Sequence, residues 1–476
     1  MADAVRFAVV GGGITGLAAA RAAVARGKET GRRVEVTVLE RSARLGGNLV
    51  TEREGGFLLD GGPDSWVITK PQATTLARSL GLGGAIVGTN AAHRRYFVAW
   101  RGKLHAVPEG LVLGVPTQLA PLARTRLFSW PGKARMALEP FVRPRHFQGD
   151  EDESIAEFAT RRLGREAAER LVAPLLGGIS AGDASDISVR ASFPQLVAME
   201  AQHGSLVRGM RAAARERAKA QAATGGKGTT GSAFASLEGG IGSLVDALVA
   251  ELRAAGVVLR TGCSVEAVER RAEGWSLRAG GEAVDADRVL VAVPPWAAAR
   301  LLAGIDARAG KSLASVPCGS TATVFLGYRR ADVAHPLDGV GFVVPRAAER
   351  PILAGTWVSS KWDGRAPEGH VLVRAFFGGA WGEEVLAGTD DDLVRLARGE
   401  LRALMGLDAE PVLARVFRFD RATAQMRVGH LALMRSVHER LAALAPGLRV
   451  AGGGYDGVGI PDCVRQGEDV ARALVG

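Results

Sequence analysis

The chain has 476 residues, 47% hydrophobic and 23% charged, which is ample apolar material for several buried cores and excludes a disordered chain. A formal charge of +10 admits nucleic acid, anionic lipid or an acidic substrate. The arginines are dispersed and accompany no aromatic-plus-basic stacking motif, which disfavours nucleic acid.

Three cysteines, Cys263, Cys318 and Cys463, stand far apart and form neither a disulfide framework nor a metal-ligand set, so no metal is expected and the compartment is expected to be cytoplasmic. The N-terminus, MADAVRFAVV, lacks a basic region followed by an apolar one, so no secretory leader is expected. No charge-free apolar run reaches the roughly 18 residues of a spanning helix, so the chain is expected to be soluble or peripherally attached to a membrane.

In chain order, RFAVV predicts a buried strand, GGGITG a turn, LAAARAAVARG a helix and VEVTVLE a second strand. This is a βαβ unit carrying G-x-G-x-x-G at Gly11, Gly13 and Gly16. Gly11 permits the tight turn, Gly13 (with Gly12, Ile14 and Thr15 around it) a close approach to a pyrophosphate, and Gly16 close helix packing. The helix N-terminus faces the negative charge. Glu40, at the end of the second strand, accepts ribose hydroxyls, and a carboxylate there disfavours NADP, although Arg41 follows it. The same glycine spacing recurs in AGGGYDGVGIPDC at Gly452, Gly454 and Gly457, which raises the question of one nucleotide or two.

ERSARLGGNL then places Arg44, Gly46 and Gly47 directly after the acid. This resembles the R-x-G-G stretch of the FAD-binding amine-oxidase superfamily, whose arginine and glycine amides support the flavin diphosphate. FLLDGGPDSW (57–66), with Gly61, Gly62, Pro63, Asp64 and Ser65, resembles the segment that passes the isoalloxazine edge in that group. The resemblance implies FAD rather than NAD.

Residues 96–224 read largely as helices, among them an amphipathic one over 153–176. The stretch 110–142 mixes apolar patches with Arg124, Arg126, Lys133 and Arg135, the pattern of a membrane-surface segment or of a cover over a substrate cleft. GGKGTTGSA (225–233) reads as a flexible loop. A helix follows LEGGIG, then short strands; by the resemblance these supply the adenine side of the flavin site around Val265, and LVAVP with Ala292 and Trp296 runs toward the flavin. The C-terminal strand, glycine turn and helix resemble the return segment that completes the FAD site, through Gly452, Gly457, Val458, Gly459 and Ile460. No ribose acid follows, so the two glycine runs are expected to hold one nucleotide.

Along its length the chain is similar to the FAD-dependent, oxygen-using protoporphyrinogen oxidase family, in HRRYFVAWRGKLHAVP (93–108), the A-G-D…F-P…G-S run of 174–209, residues 339–362, and the C-terminal turn. The resemblance implies that Arg95 pairs with a substrate propionate, that Phe376 stacks on a pyrrole, and that Val343 and Trp357 sandwich the macrocycle. Gly178 matches a glycine beside flavin N5, where a side chain would intrude on the reacting carbons. The family's Pro-x-Tyr before its Gly-His is replaced by Ala424 and Met426, which puts any contact of that tyrosine in doubt.

The expected fold class is α/β, a Rossmann-like FAD-binding domain from discontinuous segments (1–92, 236–305 and 441–476) with a mainly helical insert (93–196). An α+β substrate domain would comprise 197–235 and 306–440. The implied reaction is six-electron oxidation of protoporphyrinogen IX by O2, with a porphyrinogen as substrate and no paired acid and base required. Coproporphyrinogen III is the alternative substrate, an amine oxidase or desaturase a more distant one, and a flavin-binding scaffold the non-enzyme reading. A homodimer is compatible with all of these. One anchor, Arg95, suits two propionates; the strands matched to the cleft offer only Arg374 besides, which favours protoporphyrinogen IX.

Overall fold

The structure, a computed structural model, describes residues 4–179, 181–223 and 232–476; the glycine-rich stretch 225–233 lies outside these apart from its last two residues. Five parallel strands form one sheet in the order Val258–Arg260, Val34–Leu39, Val5–Val10, Arg288–Val291 and Leu448–Val450. Both faces are covered, which is why the first strand is almost uninterruptedly apolar. Phe7 and Val9 enter one core, with helices Ile14–Thr30, Gly242–Ala254 and Ile460–Val475. Ala8 and Val10 enter the other, with an antiparallel three-stranded sheet over 265–286 and helices Pro295–Leu302, Ala307–Ala314 and His430–Leu444.

A second, seven-stranded sheet has the order Leu413–Ala424, Cys318–Arg329, His370–Gly378, Ala354–Trp357, Gly341–Val343, Tyr96–Trp100 and Lys103–Ala106. Every pairing is antiparallel except that of Gly341–Val343 with Tyr96–Trp100. The helical insert therefore opens with two strands of this sheet. It then folds around its own core, which includes Phe158, Leu171 and Leu176 and packs on Val98 and Val343. The helix expected over 153–176 is interrupted. It starts at a Ser154–Glu157 capping box and stops at Leu163, because Gly164 takes φ +92°.

The N- and C-terminal helices cross with almost no space between their backbones. A Cβ on Gly467 would lie 2.3 Å from the Thr15 carbonyl oxygen. Gly467→Ala is therefore expected to destabilise the fold by about 1–3 kcal/mol through overpacking, read as a lower urea midpoint at unchanged slope. Gly399→Ala is the control: it lies on an exposed helical site with nothing within 4 Å, and should be neutral or stabilising.

Candidate functional site

The carboxyl edge of the parallel sheet gathers most of the residues that sequence reasoning assigned to the cofactor. Gly11, at φ +110°, turns the chain so closely past the next strand that a Cβ would sit 2.5 Å from the Ala292 carbonyl oxygen. Gly12 donates its N–H to Glu40 Oε2 at 2.7 Å, and Ser42 donates to Oε1 at 2.8 Å. The acid is thus fixed at the strand end, each oxygen keeping a lone pair for a further donor.

Gly13 caps the helix Ile14–Thr30 with no side-chain acceptor, and the first turn holds no acidic residue. The amides of Ile14, Thr15 and Gly16 are buried and find no acceptor among the described residues. Unmet donors at the positive end of a helix dipole are an anion seat. Gly46 and Gly47 close its rim: Gly46 donates to the Gly12 carbonyl at 2.8 Å, and a Cβ on Gly47 would be 3.2 Å from Gly13 Cα.

Arg44 is tied to its own turn. Its guanidinium donates to the carbonyls of Leu45, Gly47 and Leu49, at 3.3, 2.5 and 3.3 Å. It shapes the Gly46–Gly47 turn that closes this rim.

The second glycine run arrives at the same edge. Gly452, at φ +131°, would place a Cβ 3.5 Å from Thr15 Oγ1, and its N–H donates to Gln466 Oε1 at 3.1 Å. The C-terminal helix starts at Gly459, again without a side-chain cap, and the amides of Val458, Gly459 and Ile460 have no acceptor among the described residues. Two uncapped helix N-termini meet at one place. The two glycine runs therefore adjoin one another at one edge of the sheet.

At the Glu40 end, the Trp296 ring centre lies 5.7 and 4.5 Å from the guanidinium groups of Arg41 and Arg421, and its indole N–H donates to the Arg421 carbonyl. Val265 opens the neighbouring hairpin two residues after Cys263, whose amide donates to the Glu40 carbonyl.

The segment Gly61–Ser65 leaves this edge and lies against the seven-stranded sheet. A Cβ on Gly61 would strike the Phe417 ring at 2.5 Å, and one on Gly62 the Asn48 carbonyl oxygen at 1.9 Å, so both must be glycine. Asp64 accepts from Lys361 Nζ at 2.7 Å, Trp362 Nε1 at 3.1 Å and Ser65 at 2.7 Å. Burial alone would raise this carboxyl; Lys361 and Arg374 outweigh it and hold the group well below the usual carboxylate range. Sequence reasoning missed Lys361 as a partner of this segment.

The four expected substrate contacts do not share a surface. Residues alternate faces along a strand, and directly paired residues share one. Phe376 pairs with Ala354, and Ala354 with Val343, so Phe376 and Val343 face the helical insert together. Trp357 pairs with Val373 on the opposite face and is 0% exposed, packed against Phe97 and His335. Arg95 lies on that side too. It pairs with Asp338 at 2.6 Å, with its guanidinium 5.4 Å from the Phe97 ring centre. Trp357 is therefore a core residue and Arg95 half of a surface ion pair; one-residue parity, invisible in an apolar strand, separates them from the Phe376 face.

Gly178 is exposed in the last turn of helix Ala173–Ile179, and a Cβ there would meet nothing within 4 Å. That helix packs on Gly341–Val343, and Ala181 just beyond it accepts from Ala380 N–H at the end of the Phe376 strand. Gly178, Val343 and Phe376 thus border one region. Ala424 and Met426 are both buried, and Ala424 is what a Cβ on Gly454 would strike at 2.2 Å; the small residue there admits the C-terminal turn.

The sequence pattern of the flavin containing amine oxidoreductases matches residues 14–475. The chain belongs to this family. Its cofactor is accordingly FAD, and the uncapped helix ends and glycine contacts above fit a dinucleotide. The chain is 36% identical over 461 residues to coproporphyrinogen III oxidase of Bacillus subtilis, covering 97% of this chain and 96% of that one. To coproporphyrinogen III oxidase of Staphylococcus aureus it is 32% identical over 469 residues, covering 98% of each. The chloroplast protoporphyrinogen oxidase 1 of Arabidopsis thaliana is 28% identical over 481 residues, covering 97% of this chain and 86% of that one. A crystal structure named as a protoporphyrinogen oxidase of Exiguobacterium sp. 255-15 superposes with a TM-score of 0.86 at 32% identity, covering 99% of each chain.

Gly13→Asp tests the family's cofactor seat here. A Cβ at Gly13 meets only Gly47 Cα at 3.9 Å, so the fold tolerates a side chain. A carboxylate at that point would repel a pyrophosphate. The wild type is expected to release one FAD per chain on acid precipitation, and Gly13→Asp to be folded but colourless; a yellow variant, or two nucleotides per chain, contradicts the single seat.

Proposed function

We propose that this chain oxidises coproporphyrinogen III to coproporphyrin III, six electrons and six protons passing to three O2 to give three H2O2. What carries the choice of substrate is similarity: 36% and 32% identity to bacterial coproporphyrinogen III oxidases against 28% to the plant protoporphyrinogen oxidase. The sequence-based preference for protoporphyrinogen IX counted basic residues on the cleft strands. That count loses its force because Arg95 is on the far face and Arg374 is buried.

Bound FAD supplies the two-electron acceptor for each of the three rounds. The chain's part is placement. Val343 and Phe376 offer an apolar wall for a flat macrocycle, and Gly178 leaves the space beside it unfilled. An electron-rich porphyrinogen needs no strong base at its meso carbon, so an apolar, water-poor slot is adequate.

Aerobic turnover followed by porphyrin fluorescence should give a kcat/KM about tenfold higher for coproporphyrinogen III than for protoporphyrinogen IX. A faster protoporphyrinogen reaction contradicts the assignment. Gly178→Val should lower kcat/KM by about 10- to 100-fold with flavin content unchanged. A fully active variant would remove Gly178 from the substrate space.

We also propose that the insert touches anionic lipid. Leu119, Trp130, Leu138 and Phe141 are exposed, Trp130 at 72% and Phe141 at 80%, and the same stretch carries the exposed Arg124 and Arg126. No helix among the described residues is long and apolar enough to cross a membrane. Sedimentation with anionic vesicles should occur at low salt and fade at high salt; equal recovery in the supernatant at both favours a cover over the cleft.

A further inference from the structure

Arg374 lies on an interior strand of the seven-stranded sheet, His370–Gly378, 4% exposed, and burial pushes its pKa down to about 10. Its Nη2 donates to two successive carbonyls, Gly61 at 2.6 Å and Gly62 at 2.8 Å, and Thr323 Oγ1 donates to the Gly61 carbonyl at 3.0 Å. The guanidinium carbon lies 4.3 Å from the centre of the Phe376 ring. Among the described residues no carboxylate forms an ion pair with it, and its Nε is buried without a partner there. A buried cation arranged in this way is costly unless it serves something beyond the apolar core.

The two carbonyl bonds fix more than the loop's position. In a trans peptide the C=O and the following N–H point in opposite directions. The Gly61 carbonyl is drawn down to Arg374 and Thr323, so the Gly62 N–H is turned away from the sheet. Gly62 is buried, and its N–H finds no acceptor among the described residues; neither do the amides of Asp64 and Ser65. Buried amide donors left unmet by the chain call for an acceptor from outside it.

We propose that Arg374 is a positioning residue for the flavin: it holds Gly61 and Gly62 so that the Gly62 N–H is presented to an acceptor of the bound cofactor, and it adds a fixed positive charge that raises the cofactor's electron affinity. The proposal rests on the reading of Gly61–Ser65 as part of the flavin seat. It also gives a reason for the contact with Phe376, since one guanidinium then sets the distance between the cofactor segment and the substrate wall.

The test uses purified holoenzyme of wild type, Arg374→Met, Arg374→Lys and Thr323→Val, with the flavin equilibrated anaerobically against a redox dye of known potential. In Arg374→Met the equilibrium should move about tenfold or more toward oxidised flavin, with kcat for coproporphyrinogen III reduced and KM within about twofold. Arg374→Lys keeps the charge without the fork and should recover part of the shift. Thr323→Val, which removes only the second bond to Gly61, should shift the equilibrium by about two- to threefold, and with Arg374→Lys it keeps the test decisive should Arg374→Met not fold. An unchanged dye equilibrium in Arg374→Lys and Thr323→Val overturns the proposal, as does a tenfold rise in KM at unchanged equilibrium, which would make Arg374 a propionate anchor. A wild type that holds no flavin would instead refute the seat itself, an outcome visible before any variant is made.

Discussion

Everything at the cofactor edge depends on the contact between two helices from opposite ends of the chain, Ile14–Thr30 and Ile460–Val475. Gly467 lets the second helix backbone reach the Thr15 carbonyl, and Gly16 lets the first reach the turn before it, where a Cβ would lie 2.0 Å from the Gly11 carbonyl oxygen. With side chains at these points the helices would stand apart, and their N-termini would point at different places. Close contact makes two partial positive charges act on one volume, and the two occurrences of the glycine pattern adjoin there. Asp462, in the first turn of the C-terminal helix, is held by Lys70 at 2.7 and 2.8 Å, so the lone first-turn carboxylate there is neutralised by a side chain from the N-terminal part of the chain.

The seat was legible in the sequence because it is local. Strand, glycine turn, helix and terminal acid fall within one short stretch; Gly11, Gly12 and Gly16 each have a steric reason in what a Cβ would strike, whereas Gly13 has open space beside it. The expected substrate contacts rested on resemblance alone, and a one-residue parity places them on two faces of the sheet. AGTW and RAFF contain apolar residues at both parities, so nothing in composition says whether Trp357 or Thr356 shares a face with Phe376; pairing with Val373 rather than Arg374 settles it. Arg374 did leave a signal, a single charge inside the otherwise apolar HVLVRAFFG, but its partners are backbone carbonyls of a segment far away in sequence. Such contacts leave no motif.

The charge excess has a similar lesson. At the amino edge of the parallel sheet, opposite the cofactor seat, a cavity of about 460 Å³ is lined by Arg32, Arg270, Arg271, Arg288 and Arg449. Arg32 and Arg288 donate to the carbonyls of Val475 and Leu474, and Arg270 to that of Leu444. These are the last carbonyls of two helices, where cations complement the negative end of the dipole. Part of the net +10 therefore serves helix ends, and a positive total carries no information about an acidic substrate until such residues are set aside.

The two halves of the molecule are joined by buried polar contacts that converge on residues 60–65. Asp60 accepts from Thr51 and the Ile241 amide and faces Arg365 at 3.4 Å; Asp64 accepts from Lys361 and Trp362; Arg374 and Thr323 take the carbonyls between. Apolar contacts alone would let this segment slide over the sheet, since dispersion is not directional. Hydrogen bonds to successive carbonyls allow one register only, because any shift leaves buried donors unmet. The same bonds fix the segment to the strand that carries Phe376. The distance between this segment and Phe376 is thereby set by the covalent geometry of one strand, and loop packing has little freedom to change it.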